Sequence, residues 1–461
     1  MMKPVRTCRP LLPTGRVMPV GHRFAVAIAF CALILAPKNV SGEIGAIDAV
    51  PAATLLLPYF EVGLENSGNT RTTLFSINNA KAESVVVHIT IWTVLSRPTL
   101  DFDVFLTGYD VQTYNLADLF LQGLLPQTPI LPPGGLLQVH DLPPNCTFPL
   151  PPNLPVNLHT YIRNAHTGLP APAGFQTTGL CAAPSLGEGE AADFVAKGYV
   201  TMDVVNECSF VFPPVDGYIE DGGSGILSNN NAIWGDFFLA DPDNAFAQGD
   251  NLVHIEATGS VADGFWEAGD YTFYGRYTGF DGSDNREPLA TTWVTRYFAA
   301  SRPPFSMASD LFVWRGTGLD DSAFFECGPD QWDSVPAPYP LEQSPVYIWD
   351  EEETVVVYDR SLPSPFGLPP FSGTPPFPAA ASRVSPGDHT DIFDAGWLRL
   401  DFNLDTGSLQ DPVKQSFVSV VHSASGQFSV GFQAVHLDSA LDKTFLVTTK
   451  PESTLPRPPD P

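Results

Sequence analysis

Charged residues are scarce in this sequence, and basic residues are the scarcest. Only 16% of the 461 residues are charged, and 23 Lys and Arg stand against 51 Asp and Glu, which gives a formal net charge of −28. Nucleic acids and anionic membrane surfaces attract proteins through basic patches, which a chain this acidic does not supply. We therefore expect no nucleic-acid partner.

Familiar catalytic motifs are also missing. The sequence has no G-x-S-x-G, no H-E-x-x-H, no P-loop and no G-x-G-x-x-G pattern, which mark common hydrolases, metalloproteases and nucleotide-binding enzymes. It has no C-x-x-C pair either, so a zinc site built on cysteines is not expected. These absences make an enzyme the less favoured interpretation.

Long apolar runs are absent beyond the N-terminus. Residues 1–23 carry five bases and no acid, and the run FAVAIAFCALILA follows at 24–36. Thirteen apolar residues fit the core of a signal peptide and are too few for a spanning helix, although an uncleaved anchor is the alternative. Val40 and Gly42 predict cleavage after residue 42. We expect an exported protein, periplasmic, on the cell surface or secreted, with no transmembrane segment after cleavage.

What the sequence does have is proline and strand-like alternation. Its 46 prolines exclude a helical bundle or coiled coil, because proline breaks helix interiors. Alternation at 101–107, 397–404 and 428–434 predicts half-buried antiparallel strands, and VVVHITIWTVL at 85–95 predicts a central strand. Further strands are predicted at 54–60, 71–78, 135–140, 198–206, 251–257, 271–277, 291–298, 309–315, 345–349 and 354–358. Short helices are predicted at 115–124 and 187–195, and SASG at 423–426 predicts a hairpin.

These elements predict an all-β, antiparallel, sandwich-like fold with two packed β units and long Pro-rich loops. After the signal peptide (1–42) we place an N-terminal β unit at 43–145 and a Pro-rich connection closed by a disulfide at 146–195. A second unit follows at 196–447, with a Pro-rich insertion at 360–388. The Pro-rich tail at 448–461 is predicted to be disordered.

Four cysteines remain after the signal peptide: Cys146, Cys181, Cys208 and Cys327. An even number in an exported chain predicts two disulfides, and four cysteines allow three pairings. We favour Cys146–Cys181, since the intervening segment is rich in proline and loop-like, which leaves Cys208 for Cys327.

Clustered acids provide the candidate sites. Two acidic turns, one with Asp241, Asp243 and Asp250 and one with Asp281, Asp284 and Glu287, supply the hard oxygens that Ca²⁺ prefers. Both could equally be solvated turns, because Asp suits turn backbones. His254 and Glu256 lie two residues apart on one predicted strand face, so they could form a metal-binding or acid–base pair, or a structural polar pair.

Several longer runs resemble an uncharacterised family of exported bacterial proteins. They are VPAATLLLPYFEVGL at the mature start, NAIWGDFFLADP and LVHIEA within 231–257, DNREPLATTW from 284 and FSVGFQAVHLDSA at 428–440. The resemblance implies a bacterial envelope or secreted location. It transfers no catalytic residue, because the family has no established activity.

Three functions follow from these observations. The favoured one is a non-enzymatic binding or surface-structural protein whose partner is a glycan or an envelope protein. Its abundant aromatics could stack on sugar rings, or could simply pack in a β-rich core. The alternatives are a carbohydrate-active hydrolase that uses Asp and Glu, and an outer-membrane-associated β protein.

Overall fold

The computed structural model describes the residues in these ranges: 50–65, 71–94, 98–128, 144–147, 150–151, 153–167, 194–213, 215–244, 246–257, 272–278, 282–290, 292–299, 301–302, 305–315, 346–352, 355–358, 381–384, 394–401, 415–424, 428–433 and 435–436. Residues 44–461 form one compact unit. The predicted signal peptide and C-terminal tail lie outside the described residues, as do Cys181, Asp281 and Cys327.

Strands dominate the described chain. They are β1 (Thr54–Gly63), β2 (Thr72–Asn79), β3 (Val85–Thr93), β4 (Pro98–Leu106), β5 (Val111–Asn115), β6 (Val195–Val205), β7 (Ile233–Trp234), β8 (Asp236–Asp241), β9 (Phe246–Asn251), β10 (Val253–Ile255), β11 (Thr292–Phe298), β12 (Ser301–Arg302), β13 (Phe305–Arg315), β14 (Val346–Trp349), β15 (Val355–Tyr358), β16 (Ala381–Val384), β17 (Ala395–Asp401), β18 (Ser416–Ala424), β19 (Phe428–Gln433) and β20 (Val435–His436). The helices are α1 (Asp118–Gln122, with π-type bonding), α2 (Val156–Thr167) and α3 (Gly275–Thr278).

The strands form four antiparallel sheets. Sheet 1 has the order β10-β1-β6-β3-β4, and sheet 2 has the order β5-β2-β8-β9 with β7 on β2. Sheet 3 has the order β15-β14-β17-β11-β20, and sheet 4 has the order β12-β13-β18-β19 with β16 on β13. The all-β, sandwich-like prediction is confirmed. Since β6 lies between β1 and β3, strands from both predicted units share sheet 1.

Sheet 1 is a middle layer, which explains the apolar run of β3. Val87, Ile89 and Ile91 point into a core shared with Phe75 and Phe237 of sheet 2. Each buried side chain of this kind contributes roughly 1.5–3 kcal/mol. The alternate positions of β3 point to the opposite face, because successive side chains of a strand alternate.

The opposite face of sheet 1 meets a second, aromatic core. Trp92 of β3 and Tyr199 of β6 stack with ring centroids 5.7 Å apart, and Tyr199 meets Trp314 of sheet 4 edge-on at 6.0 Å. Trp293 of sheet 3 belongs to the same buried cluster. Both faces of sheet 1 are therefore buried, so its polar residues must find partners inside the protein.

Most of the predicted strands lie where the structure has strands, but two features differ. The segment predicted as a strand at 271–277 instead holds a turn and α3. The region 125–185, which shows few strand signals, contains α2, whose Ile162 and Ala165 are buried. The predicted hairpin at 423–426 is confirmed, because Ala424 of β18 pairs with Phe428 of β19.

The predicted disulfide pairing is wrong. The structure joins Cys146 to Cys208, with Cα atoms 4.9 Å apart, so neither Cys146–Cys181 nor Cys208–Cys327 can form. The backbone brings the two cysteines together, since the Cys208 N–H donates to the Pro144 carbonyl at 3.1 Å. Both sulfurs join a small apolar cluster with Val86 and Phe105. Sequence spacing could not reveal that β6 returns beside the Pro-rich segment.

Candidate functional site

An open groove lies on the outer face of sheet 2. Its volume is about 700 Å³, within the range of small-molecule sites. The lining residues come from β2, β5 and β8 and from the segment after α1; they are Leu74, Phe75, Ser76, Thr113, Tyr114, Asn115, Asp118, Leu124, Leu125, Pro126, Asp236 and Phe238. The groove therefore has a sheet as its floor and a helix end as its wall.

The wall is held by specific local contacts. The Asn115 side chain accepts the Thr72 hydroxyl at 2.7 Å and the Ala117 N–H at 3.1 Å, which fixes the start of the turn into α1. At the other end Gly123 adopts φ 69°, and a Cβ there would lie 3.1 Å from the His159 ring of α2. Glycine takes this left-handed conformation without strain. The chain thus turns sharply after α1, and Leu124 is left 56% exposed.

Apolar groups on the groove floor face solvent. Leu74 is 38% exposed and Phe238 is 50% exposed, and the two residues pair across β2 and β8. Opposite Phe238 on β9 is Gly249, where a Cβ would lie 2.3 Å from the Phe238 ring. The ring therefore lies on the glycine backbone, and its other face is left to solvent.

Polar groups continue the same face along β2 and β8. The Ser76 hydroxyl donates to Asp236 at 2.7 Å, and the Asn78 amide donates to Ser76 at 3.1 Å and to the Trp234 carbonyl at 3.2 Å. Trp234 is 41% exposed and pairs with Asn78. Trp234, Asp236 and Phe238 alternate along one chain segment, so an aromatic ring stands on either side of the carboxylate.

One groove residue has an unpartnered polar atom. Tyr114 is 4% exposed and stacks on Phe75 with centroids 4.9 Å apart. Its hydroxyl has no hydrogen-bond partner in the described part of the chain. Burial raises its pKa well above 10, so the phenol is neutral. The ring also lies 5.8 Å from Phe102 of sheet 1, so the side chain points into the core between the two sheets and away from the open groove.

The structure does not bring the first group of predicted calcium ligands together. Asp241 ends β8, is buried, and forms an ion pair with Arg71 at 2.7 Å. Asp243 is exposed in the turn that joins β8 to β9. Asp250 lies at the far end of that ladder, opposite Phe237, where burial raises its pKa. These three acids are spread along a hairpin.

The described members of the second group of predicted calcium ligands make contacts within the protein. Asp284 is buried, and its carboxylate accepts the backbone N–H groups of Tyr274 at 2.6 Å and Arg286 at 3.1 Å. Burial raises the pKa of Asp284, although Arg286 counteracts this. The half-buried Glu287 donates its backbone N–H to the Glu256 carbonyl at 3.0 Å. Asp281 lies outside the described residues.

The predicted pair His254 and Glu256 does not form an isolated site. His254 is buried on β10, with Nε2 3.3 Å from the Gly235 nitrogen and 3.4 Å from its carbonyl oxygen. Glu256 is half-buried just beyond the end of that strand. Throughout the described ranges, no group of three or more His, Cys, Asp or Glu side chains is placed to hold a metal ion. Calcium binding stays a prediction.

A row of polar residues that sequence reasoning missed crosses one buried face of sheet 1. Thr54, Asp203, His88 and Asp103 are consecutive cross-strand partners on β1, β6, β3 and β4. Asp203 accepts the Tyr218 and Tyr274 hydroxyls, each at 2.8 Å. In the sequence, Asp101 and Asp103 alternate with apolar residues of β4. This pattern shows that one face of the strand is polar, and it is typical of a face that meets solvent.

Comparisons with known proteins identified no relative. No family model matches the chain, and neither the curated proteins nor the solved structures contain a match. The longest helix in the described ranges has 12 residues, and none of the helices there has the length and hydropathy needed to cross a membrane.

Proposed function

We propose that the protein is an exported, non-enzymatic glycan-binding protein, and that the groove on sheet 2 is its binding site. The proposal rests on one observation above all. An exposed aromatic ring, Phe238, lies beside a carboxylate, Asp236, and a hydroxyl, Ser76, in a groove large enough for a small oligosaccharide.

The groove chemistry favours sugars over other ligands. A sugar ring has an apolar face, which stacks on an aromatic ring, and hydroxyls at its edge that need both donors and acceptors. Asp236 and Asp118 supply acceptors, and Thr113 and Asn115 supply a hydroxyl and an amide on the same lining. The formal net charge of −28 disfavours phosphorylated or other anionic ligands, which the protein field repels.

The way in which Phe238 is held supports stacking. Because its ring packs directly against Gly249, the position of the ring is restricted before a ligand arrives. A preorganised ring loses little side-chain entropy on binding. Phe238→Ala removes the stacking surface, and Asp236→Asn removes the charged acceptor while it keeps the shape.

Binding is tested first on a glycan array and then by titration with the best oligosaccharide. We expect Phe238→Ala to weaken binding roughly two- to tenfold, since an aromatic contact of this kind contributes about 0.5–1.5 kcal/mol. The matched control is Phe210→Ala, which removes a phenylalanine that is 77% exposed outside the groove. If the native protein binds no glycan, or if both variants bind equally well, the groove is not a sugar site.

A carbohydrate-active hydrolase is the second candidate, because two carboxylates, Asp118 and Asp236, line the same groove. Glycosidases use such a pair as acid and base or nucleophile. A reducing-sugar assay on the array-positive glycan separates the two functions. Release of sugar that Asp118→Asn and Asp236→Asn each abolish would establish the hydrolase, and binding without release establishes the binding protein.

A further inference from the structure

The line formed by Phe238 and Asp236 continues past the end of the groove to Trp234. Trp234 pairs with Asn78 of β2. Phe238 pairs with Leu74, and this is the same antiparallel register, so the two strands stay aligned between these points. Side chains two residues apart on a strand share a face, and Trp234 is 41% and Phe238 50% exposed on that face. Trp234 is not one of the groove-lining residues, so the exposed aromatic face is longer than the groove.

Gly235 keeps this segment close to the sheet between β7 and β8. A Cβ at Gly235 would lie 2.2 Å from the Ser76 carbonyl oxygen, so only glycine lets the chain pass this near to β2. On the other side, the Leu252 N–H donates to the Gly235 carbonyl at 3.0 Å. The segment is therefore held from both sides, which fixes the position of Trp234 relative to Phe238.

A polar row separates the two aromatic rings. Asp236 is bonded to Ser76 of β2 and pairs with Asn251 of β9, and Ser76 pairs with Thr113 of β5. Asn251 and Thr113 are exposed. The row therefore offers a carboxylate, hydroxyls and an amide, which supply the acceptors and donors that sugar hydroxyls need. Along the strand direction the face reads aromatic, polar and aromatic again.

The spacing of the two rings sets the length of a ligand that contacts both. A strand advances by about 3.4 Å per residue, which places the Cα atoms of Trp234 and Phe238 about 13–14 Å apart. A single sugar ring does not span this distance, and two directly linked sugars lie too close together to stack on both rings. One chain reaches both only if a further sugar lies between them, over the polar row.

We infer that this face of sheet 2 binds a linear, neutral, β-1,4-linked oligosaccharide, a trisaccharide or longer, with Phe238 and Trp234 stacking on separate sugars and Asp236 bonded to the sugar between them. The inference rests on the glycan-binding function proposed above and specifies its ligand. A β-1,4-linked chain is straight and flat, as the line of three side chains on an open sheet requires. The groove lining carries two carboxylates and no basic residue, which disfavours an acidic polysaccharide.

The test compares short and long ligands by titration calorimetry on the full chain. The probes are cellobiose and cellohexaose, and the corresponding disaccharide and hexasaccharide of N-acetylglucosamine. In at least one series we expect the hexasaccharide to bind roughly two- to tenfold more tightly than the disaccharide, because it gains one aromatic contact. The hexasaccharide should also change the tryptophan fluorescence, and a disaccharide stacked on Phe238 should not.

Variants separate the two aromatic contacts. Trp234→Ala should lower the affinity for the hexasaccharide to that for the disaccharide and leave disaccharide binding unchanged, whereas Phe238→Ala should weaken both. Trp234→Phe keeps a stacking ring, so it should retain most of the gain with length and lose the fluorescence change. The matched control is Trp397→Ala, which removes a tryptophan that is 36% exposed on sheet 3, and it should bind like the native protein.

Two outcomes overturn the inference and leave the proposed function standing. One is a protein that binds other glycans on the array but neither β-1,4-linked series, or binds both lengths equally tightly. The other is a gain with length that persists in full in a folded Trp234→Ala variant, because the longer chain would then gain only from its larger number of equivalent binding positions. Binding of no glycan at all removes the proposed function and this inference together.

Discussion

His166 should make the stability of this protein fall as the pH falls below neutrality. The side chain lies at the end of α2, 3% exposed, between the rings of Phe60 and Phe120. Burial lowers its pKa from 6.5 to about 4, although the hydrogen bond from Nδ1 to the Lys197 carbonyl at 2.8 Å opposes this effect. Thr99 lies 2.8 Å from Nε2.

The sign follows from proton binding. Between pH 6.5 and about 4 the unfolded chain carries a proton on His166 and the folded protein does not, so acid favours unfolding. A pKa lowered to about 4 corresponds to about 3 kcal/mol lost by pH 4, at 1.36 kcal/mol per tenfold. That loss is a large part of the stability of a typical domain, which is about 5–15 kcal/mol.

The assay is urea unfolding at several pH values between 7.5 and 4.5, for the native protein and for His166→Gln. Glutamine does not titrate in this range, so the variant should lose less stability than the native protein on acidification. The native protein and His166→Gln are compared at each pH. Asp250 and Asp284 are present in both proteins, and their raised pKa values stabilise both folded states as the pH falls. The control, His159→Gln, changes a half-buried histidine on the same helix. If native protein and His166→Gln lose equal stability between pH 6.5 and 4.5, His166 is not buried in its neutral form.

Three further predictions concern stability and the groove. Non-reducing peptide mapping should recover Cys146 linked to Cys208, and removing that link, which spans 62 residues, should cost about 4 kcal/mol in the chain-entropy model. Arg286→Met should destabilise the protein by about 3–5 kcal/mol in urea unfolding, because it leaves Asp284 without the buried cation beside it; an unchanged midpoint would contradict this. Gly249→Ala should displace the Phe238 ring and weaken glycan binding severalfold with little change in melting temperature; unchanged binding would show that the ring position is irrelevant.

The sequence predicted strands well where one physical signal dominated. β1 to β4 and β17 follow apolar runs or strict alternation, which reports directly on the two faces of a strand. The helix α2 was missed because prolines surround it and its apolar residues are few. The segment at 271–277 was assigned as a strand from its aromatic content, yet Tyr274 is held in a turn by the Asp284 carboxylate, a contact ten residues away that propensity does not include.

The disulfide and the groove could not be predicted, because both depend on which strands become neighbours. Cys146 and Cys208 meet because β6 inserts between β1 and β3. The groove exists because β8 pairs with β2 across more than 150 residues and so places Asp236 beside Ser76. Local sequence determines which residues share a strand face, but it carries no record of the partner strand.

The same limit explains why the polar face of β4 was interpreted as solvent-facing. Alternation of Asp101 and Asp103 with apolar residues shows that one face is polar, and in a two-layer protein that face would meet water. Here another layer covers sheet 1, and Asp103 is 4% exposed. The cost of burying it is offset because antiparallel register places His88 directly opposite. A polar residue inside a three-layer β protein therefore needs a polar partner at the same register on the next strand, and Asp103 finds this partner in His88, whose Nδ1 lies 2.8 Å from its carboxylate.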